Sequence, residues 1–412
     1  MRSGLAVLLV VGLAIQVSAD ATGNITQLSS GNAADQQNNP LISGPLVVWT
    51  DASTPAGGAT NFDIFLLDLT TGVSTNLTNT PDQQEFLPDV DGSIVVWTHT
   101  AAAIPGDIMA FDVATNTTAT IAASTSSVHF EQPSVHGNHV AFLRVDALTT
   151  DVSLFDLTTG TSTGVTNDAA LQARPRVGDD VVVYEDYSTG NADIQAYRIS
   201  TSAHFPIATG PSNQITPDVD GNTVIWVDHG SGTDQIFAFD LSTSTSRQLT
   251  ASVSNKILPR ISRNRVIWSD DRNGNLDLYM YDLSTGTEQP LVTGARDQFL
   301  ADIDGDRVVY TDNSRGFEQV FLFTFGNPTP HVGDLVNLVK SFGLKQGIAN
   351  SLIAKLGSAQ SAIARGDLST ACGVLGAFIN EVQAQTGKAI TSSQATQMIA
   401  MATAVKSSLG CP

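Results

Sequence analysis

Five aspartates, one histidine and one arginine recur in a single register of the sequence, and their side chains could bind a ligand. They are Asp51, His99, Arg144, Asp186, Asp228, Asp270 and Asp312, which follow one another at intervals of 48, 45 and then 42 residues. A second recurrent polar position carries Glu85, Gln172, Gln214, Lys256 and Gln298. Carboxylate and amide oxygens accept hydrogen bonds from peptides and glycans, and they also bind hard cations such as Ca²⁺.

The same intervals separate a series of landmark prolines, each of which opens a motif such as "PDVDGNTVIWVD" (217–228). The landmarks are Pro40, Pro88, Pro133, Pro175, Pro217 and Pro259, with Ala301 in the seventh place. Nine residues after each landmark stands an aromatic residue, in order Trp49, Trp97, Phe142, Tyr184, Trp226, Trp268 and Tyr310. A period near 42 indicates repeated supersecondary units.

Each unit contains four short strand patterns and no helix pattern. In the fifth unit these are "PDVDG" (217–221), "TVIW" (223–226), "QIFAFDL" (235–241) and "SRQLT" (246–250), with turn residues between them. Asp-Gly pairs suit tight hairpins, and four antiparallel strands per unit are typical of a propeller blade.

The two ends of the repeat region predict how the ring closes. The seventh unit ends at "QVFLFTF" (319–325) without a fourth strand, whereas an unassigned strand pattern, "NITQLS" (24–29), precedes the first unit. We therefore predict a mainly β protein, a seven-bladed β-propeller over residues 24–326 that is closed by its N-terminal strand. An open solenoid is the alternative, and an unpaired segment 25–28 would indicate it.

In a closed ring, the exits of the second strands and the loops before the landmarks gather on one face. We therefore predict a ligand-binding rim, and its ten members are called the rim residues: Asp51, Asp186, Asp228, Asp270, Asp312, His99, Arg144, Gln172, Gln214 and Gln298. The alternative is that each aspartate only caps its own loop.

Motifs that resemble catalytic or metal sites have simpler explanations here. The "GTSTG" stretch (160–164) matches a nucleophile elbow, but it lies between two strand patterns where a hairpin is expected. The acidic stretches "DIDGD" (302–306) and "DDRNGNLD" (270–277) resemble calcium loops without the final glutamate, so calcium is an alternative to a plain turn. The seven histidines share no metal-ligand spacing. We predict no catalytic set, no metal site and no cofactor.

Composition and the N-terminal sequence bear on location and partners. The net charge is −20, and residues 20–330 carry all of the acidic excess, which disfavours a nucleic-acid partner. Residues 1–19 have one arginine, an apolar run and small residues before Asp20, which is typical of a cleavable signal peptide. We therefore expect a secreted or periplasmic protein without a membrane span in the mature chain.

The pattern changes after a boundary near Gly326–Gly333. Residues 333–412 have helical periodicity, with Thr391 and Gln394 placed as a capping box, and predict a small helical module. Its two cysteines, Cys372 and Cys411, are the only ones in the chain and predict a disulfide in an oxidising compartment. The pair lacks the CxxC spacing of redox-active sites.

Two family resemblances follow from these motifs. The stretches "PDVDGNTVIWVD", "WSDDRNGNLDLYMYDLSTG" and "RQLT" resemble the TolB-like propeller repeats of secreted and periplasmic bacterial proteins. The C-terminal stretches "LVNLVKSF", "GIANSLIAKL" and "AFINEV" resemble the FIMAH-type helical module of extracellular bacterial proteins. The first resemblance implies a propeller that binds proteins or peptides, although some related propellers are enzymes.

We interpret the sequence as that of a secreted, non-catalytic binding or scaffold protein. Its predicted partner is an extracellular or envelope protein, a peptide or a glycan, bound on one propeller face. The alternative is a propeller lyase or hydrolase that acts on an extracellular polymer, and it requires His, Lys, Tyr or Asp side chains that converge in the funnel. A surface-layer component would instead assemble into ordered arrays.

Overall fold

The computed structural model describes residues 21, 23–29, 36–52, 61–80, 83–101, 104–230, 232–325, 332–364, 368–409 and 411. The predicted signal peptide and residues 326–331 of the predicted boundary near Gly326–Gly333 lie outside the described residues. The chain divides into two compact units, one ending at Phe325 and the other covering the C-terminal helices.

The first unit consists of seven four-stranded antiparallel sheets. In chain order the strands are β1 (Gly23–Gln27), β2 (Gln36–Ser43), β3 (Leu46–Ala52), β4 (Asp63–Asp68), β5 (Val73–Asn76), β6 (Gln84–Asp91), β7 (Ile94–Ala101), β8 (Ile104–Asp112), β9 (Thr117–Ala122), β10 (Val128–His136), β11 (His139–Asp146), β12 (Thr150–Asp156), β13 (Thr161–Gly164), β14 (Gln172–Val177), β15 (Val181–Asp186), β16 (Asp193–Arg198), β17 (Ala203–Ala208), β18 (Gln214–Asp220), β19 (Thr223–Asp228), β20 (Gln235–Asp240), β21 (Thr245–Gln248), β22 (Lys256–Ser262), β23 (Arg265–Asp270), β24 (Asp277–Asp282), β25 (Thr287–Val292), β26 (Gln298–Asp304), β27 (Arg307–Asp312) and β28 (Gln319–Phe325). Blades 1 to 6 take consecutive groups of four strands from β2 to β25, so the seven-bladed propeller is confirmed.

Blade 7 is completed by the N-terminal strand, as predicted. Its strand order is β1-β28-β27-β26, and Ile25 of β1 lies opposite Phe323 of β28 in an antiparallel register. Beyond this ladder, the Leu28 amide donates to the Val320 carbonyl at 2.9 Å, and the Val320 amide donates to Ser29 Oγ at 2.9 Å. The ring is therefore closed by hydrogen bonds between the two ends of the propeller sequence.

The recurrent aromatic residues lie in hydrophobic cores between neighbouring blades. Trp49, Trp226, Trp268 and Tyr310 are buried, and each stacks on an aromatic residue of the third strand. In blade 5, for example, the ring centroids of Trp226 and Phe237 are 5.7 Å apart. Such pairs stabilise neighbouring strands beyond the area that they bury, which explains why the register keeps an aromatic residue.

The two aspartates of the "PDVDG" motif connect neighbouring blades. Asp89 accepts a hydrogen bond from the Val135 amide of the next blade at 2.9 Å, and Asp91 accepts one from the Gly137 amide at 2.7 Å. The same two-point contact joins blade 5 to blade 6 through Asp218 and Asp220. It also joins blade 7 to blade 1 through Asp302 and Asp304, which accept from Ile42 and Gly44. Residues i and i+2 of a strand point to the same side, so both carboxylates reach the next blade.

The contact between blades 7 and 1 predicts a pH-dependent stability. Burial raises the pKa of Asp302 to about 7. Arg260, 3.6 Å away, lowers this pKa, whereas the nearby carboxylates of Asp89 and Asp218 raise it further. In the unfolded chain an aspartate titrates near 3.9. The folded protein therefore binds more protons between pH 4 and pH 7, and the free energy of unfolding should fall as the pH rises through this range.

Urea unfolding at pH 5 and pH 8 measures this effect. The difference should be on the order of a few kcal/mol, because one pKa unit corresponds to about 1.4 kcal/mol. Asp302→Asn keeps an oxygen acceptor for the Ile42 amide and should reduce the difference. The matched substitution Asp304→Asn should leave most of the difference between pH 5 and pH 8 unchanged. An Asp302→Asn protein with an unreduced difference would assign the pH dependence to other groups.

The second unit is a bundle of four helices: α1 (Val332–Ser341), α2 (Gln346–Ala364), α3 (Leu368–Gln385) and α4 (Ser392–Ser408). Leu335, Leu356, Phe378 and Met398 are among its fully buried core residues. The predicted capping box precedes α4, since the Thr391 amide donates to Gln394 Oε1 at 3.0 Å and the Gln394 amide donates to Thr391 Oγ1 at 3.3 Å.

The predicted disulfide is present in the helical unit, where Cys372 and Cys411 are bonded with a Cα–Cα distance of 5.6 Å. Closing a loop of this length stabilises a fold by roughly 3–4 kcal/mol in the chain-entropy model, which matters for a bundle with a small core. None of the described helices is long and apolar enough to span a membrane.

Candidate functional site

The rim residues lie at the ends of the first and second strands of each blade, and most of them are buried. Gln172 lies directly opposite Asp186, and Gln298 lies opposite Asp312. The glutamine Nε2 donates to the aspartate Oδ2 at 3.2 Å in the first pair and at 3.1 Å in the second. Asp51 makes the corresponding contact with Gln37, whose Nε2 donates to Asp51 Oδ2 at 2.9 Å. Gln37 is not one of the predicted rim residues.

The aspartates among the rim residues also cap the loops that follow them. Asp186, Asp228 and Asp312 each accept a hydrogen bond from the amide two residues later, at 2.9, 2.7 and 2.7 Å. Gln214 donates instead to the Ser212 carbonyl at 2.8 Å. These contacts match the loop-capping alternative, and a ligand-binding role for the rim residues stays a prediction.

Asp270 has the largest number of polar contacts among the rim residues. It is fully buried and accepts from Trp268 Nε1 at 3.0 Å and from Arg272 Nε at 2.9 Å and Nη2 at 2.5 Å. Burial alone would raise the pKa of Asp270, but the bonds from Arg272 and Trp268 lower it overall. Lys256, on the neighbouring strand, is also fully buried, and burial lowers its pKa.

His99 and Arg144 each contact an acidic residue of their own blade. His99 Nδ1 lies 3.0 Å from Glu85 Oε1, and burial raises the pKa of that glutamate. Arg144 Nη1 donates to Asp146 Oδ2 at 2.9 Å. The contacts described here lie within the blade of each rim residue and its adjoining loops, and they do not bring the seven blades to a shared point.

A different set of residues surrounds the centre of the ring. The residue before each landmark has a left-handed backbone, with φ between 48° and 54°, and forms a bulge in the innermost strand of its blade. We call these seven residues the bulge ring: Asn39, Leu87, Gln132, Arg174, Thr216, Leu258 and Leu300. Such conformations are unfavourable for residues other than glycine, and they cluster at functional sites.

The bulge ring lines a central cavity of about 300 Å³. The landmarks Pro40, Pro88, Pro133, Pro175, Pro217 and Ala301 also line it, together with Leu41 and two further arginines, Arg176 and Arg260. None of the described residues that line this cavity is acidic. Carboxylates just outside the lining lie within 4.0 Å of each arginine: Glu185 beside Arg174, Asp89 and Asp218 beside Arg176, and Asp302 beside Arg260.

The bulge ring is polar on one side and largely apolar on the other. Blades 3, 4 and 5 contribute Gln132, Arg174 and Thr216. The remaining blades contribute Leu87, Leu258 and Leu300, with Asn39 among them. A ligand would therefore bind in one orientation, since its charged and apolar parts face different walls.

Arg174 is held at the mouth of the cavity by a buried carboxylate. Its Nη1 donates to Glu185 Oε1 at 2.9 Å, and the same oxygen accepts from the Thr216 amide at 2.7 Å. Glu185 is fully buried, and its other oxygen accepts from the Tyr187 hydroxyl at 2.8 Å. Burial and this bond raise the pKa of Tyr187 to about 12, so the hydroxyl stays protonated at neutral pH.

The aligned repeats contain a signal that would have identified this group. The position of Glu185 is occupied by Thr50, Thr98, Leu143, Val227, Ser269 and Thr311 in the other units, so Glu185 is the one charged residue there. Arg174 is likewise the one charged residue of the bulge ring. Arg174 and Glu185 lie on adjacent strands of the same blade, and both depart from the repeat pattern. Together they indicate a local role beyond the fold.

Two further arginines of the lining lie close to carboxylates of other blades. Arg176 lies 3.7 Å from Asp89 and 4.0 Å from Asp218, and Arg260 lies 3.6 Å from Asp302. Arg260 Nε and Thr216 Oγ1 are buried and make no hydrogen bond within the described structure. Buried polar atoms are normally paired, so these two atoms are exceptions among the residues of the lining.

The described residues include no group of three or more His, Cys, Asp or Glu side chains placed to hold a metal ion. In the stretch 302–306, where calcium was the alternative to a plain turn, Asp302 and Asp304 accept hydrogen bonds from the blade 1 amides described above. Calcium binding therefore stays an untested alternative, and the geometry gives it no further support.

Comparisons with known proteins show the fold. No protein-family model and no curated protein matches the sequence. An oligogalacturonate lyase from Vibrio parahaemolyticus superposes with a TM-score of 0.56 at 12% identity, covering 75% of this chain and 99% of that one. The propeller domain of the Trilobed protease from Pyrococcus furiosus superposes with a TM-score of 0.58 at 12% identity, covering 71% and 94%.

A TolB structure from Acinetobacter baumannii is also similar, with a TM-score of 0.43 at 15% identity, covering 65% of this chain and 66% of that one. At 12% identity the lyase and the protease-domain matches establish a β-propeller fold and carry no activity to this chain.

Proposed function

We propose that this is a secreted or periplasmic, non-catalytic binding protein that recognises an extracellular protein, peptide or glycan at the mouth of its central cavity. The observation that carries the proposal is the two-sided bulge ring, with Arg174 on one wall and Leu87, Leu258 and Leu300 on the other. A predicted signal peptide and the disulfide Cys372–Cys411 support an oxidising compartment. The helical module, whose sequence resembles the FIMAH type, would provide a second contact.

The groups that line the cavity favour binding over catalysis. None of the residues that line the described cavity is a His, Lys, Tyr or Asp, the types that acid–base or nucleophilic chemistry mostly uses. Glu185 already accepts three hydrogen bonds and is fully buried, which leaves it a poor general base. A lyase or hydrolase of an extracellular polymer remains the alternative, and release of shortened polymer chains by the purified protein would favour it.

The mature protein can be tested on glycan and peptide arrays with a variant of the mouth. Arg174→Gln with Glu185→Gln removes the charged pair together, so neither charge is left unpaired. We expect this variant to lose at least about tenfold in affinity for any ligand of the wild-type protein, because charge-assisted bonds are the strong ones.

Arg263→Gln is the matched control. Arg263 is an exposed arginine, and it also has a left-handed backbone, with φ of 55°. It lies in the turn after β22, at the end of an innermost strand that is far from the cavity mouth. It should bind as the wild type does. Binding that survives the double substitution but is lost in Arg263→Gln would place the ligand on the opposite face and contradict the proposal.

A further inference from the structure

We infer that the cavity binds the free carboxylate end of a peptide whose last side chain is apolar. This inference rests on the proposed function and specifies its ligand. The central juxtaposition is that of three arginines and three leucines in the lining of one small cavity.

The arginines supply the recognition of a carboxylate. An arginine has five N–H donors in a planar fork that matches a carboxylate, and Arg174 uses one of them for Glu185. The Arg174 side chain lines the cavity and is 49% exposed. A carboxylate in the cavity would accept from the Arg174 donors that Glu185 does not use.

The size and the apolar wall restrict the rest of the ligand. A cavity of about 300 Å³ is at the small end of the range for ligand sites, so it admits a chain end and excludes a folded domain. Leu87, Leu258 and Leu300 would contact an apolar side chain. An acidic sugar presents hydroxyl groups on all sides and would leave this wall without an apolar partner.

An exposed apolar strip next to the mouth would receive the preceding residues of the peptide. Leu148, Leu171 and Tyr187 are exposed to 86%, 52% and 38%. They are neighbours, since the Tyr187 amide donates to the Leu171 carbonyl at 3.0 Å and Leu171 forms a parallel bridge with Thr150, two residues from Leu148. Tyr187 also donates to Glu185, the partner of Arg174, so the strip begins at the cavity mouth.

The experiment uses fluorescent hexapeptides with the mature full-length protein. A set of twenty peptides, identical except for the last residue, is made with a free C-terminal carboxylate and with a C-terminal amide, and binding is measured by fluorescence anisotropy. We expect peptides that end in Leu, Ile, Phe or Met to bind, and each amide form to bind at least about tenfold more weakly.

Variants then locate the binding. Arg174→Gln with Glu185→Gln should abolish the difference between acid and amide forms, whereas Leu258→Ser with Leu300→Ser should weaken binding of both forms. Arg263→Gln should change neither. Circular dichroism melting of each variant separates loss of binding from loss of fold.

Each contrary result has a distinct meaning. Equal affinity for acid and amide forms, or failure of all twenty acids to bind, would overturn the inference. Displacement of a bound probe by octanoate but by no peptide would assign the site to a fatty-acid anion and also overturn it. If array glycans bind at the mouth while the peptides do not, the inference fails and the proposed function stands. If no array ligand binds at the mouth, both fail.

Discussion

A mature chain that begins after Ser29 should fail to form a closed, monomeric propeller. Without β1, the outer backbone edge of β28 loses its partner along the five residues from Phe321 to Phe325, and the contacts of Leu28 and Ser29 with Val320 are lost. At about 1 kcal/mol for each hydrogen bond, the loss is on the order of 5 kcal/mol, and an exposed strand edge also promotes association.

The effect should be visible in two measurements. Size-exclusion chromatography with light scattering should report oligomers, and thermal unfolding followed by circular dichroism should be broader and should occur at a lower temperature than in the chain that begins at Asp20. The side chains of β1 are mostly exposed, so the loss comes from the backbone ladder and from uncovering Phe323 rather than from the apolar area of β1 itself.

A peptide that covers residues 20–29, added in trans, provides the control. It should restore the monomer and raise the melting temperature, because it can add as an edge strand to β28. A scrambled peptide of the same composition should not. A truncated chain that is monomeric and melts with the full mature chain would show that β1 does not hold the ring closed.

The number of blades and the mode of closure could be predicted from the sequence because both depend on features that repeat. The landmark prolines and the aromatic residues nine positions later mark the register of every unit, and the missing fourth strand in unit 7 matches the additional strand before unit 1. Repetition makes each weak local signal strong, because an error in one unit is corrected by the other six.

The burial of the rim residues could not be predicted in the same way. Their position at the strand exits was correct, but whether a strand end is exposed depends on the loops and blades packed around it, which a single repeat does not contain. Asp270 illustrates this, because a loop arginine, Arg272, and an adjacent tryptophan enclose it.

The bulge ring was missed for a different reason. Its members share a backbone conformation and no side-chain type, since asparagine, leucine, glutamine, arginine and threonine all occur there. Propensity rules associate a left-handed backbone with glycine and asparagine, so six of the seven positions gave no signal. Position relative to the landmark proline is the feature that they share, and it becomes informative only once the bulge is known.

Replacement of Asp270 by alanine should destabilise the propeller more than the same change at any other rim aspartate. The substitution leaves Arg272 without its bidentate partner and Trp268 Nε1 without an acceptor, and it removes a nearby negative charge from the buried Lys256. Removing one partner of a buried ion pair costs about 3–5 kcal/mol. Because Glu288 still pairs with Arg272 at 2.7 Å, we expect the lower end of this range. At roughly 2–4 °C for each kcal/mol, the melting temperature should fall by about 6–12 °C.

Asp228→Ala is the matched control, because Asp228 occupies the same repeat position in blade 5 and its one described hydrogen bond is a loop cap to Gly230. Loss of such a contact costs about 1 kcal/mol. The triple variant of Asp228, Asp270 and Asp312 then decides between the two roles of the rim residues. If it melts far below the wild type and loses its ligand only through unfolding, these aspartates build the blades. If it melts as the wild type does and still loses the ligand, they form the binding rim, and the cavity mouth is not the principal site.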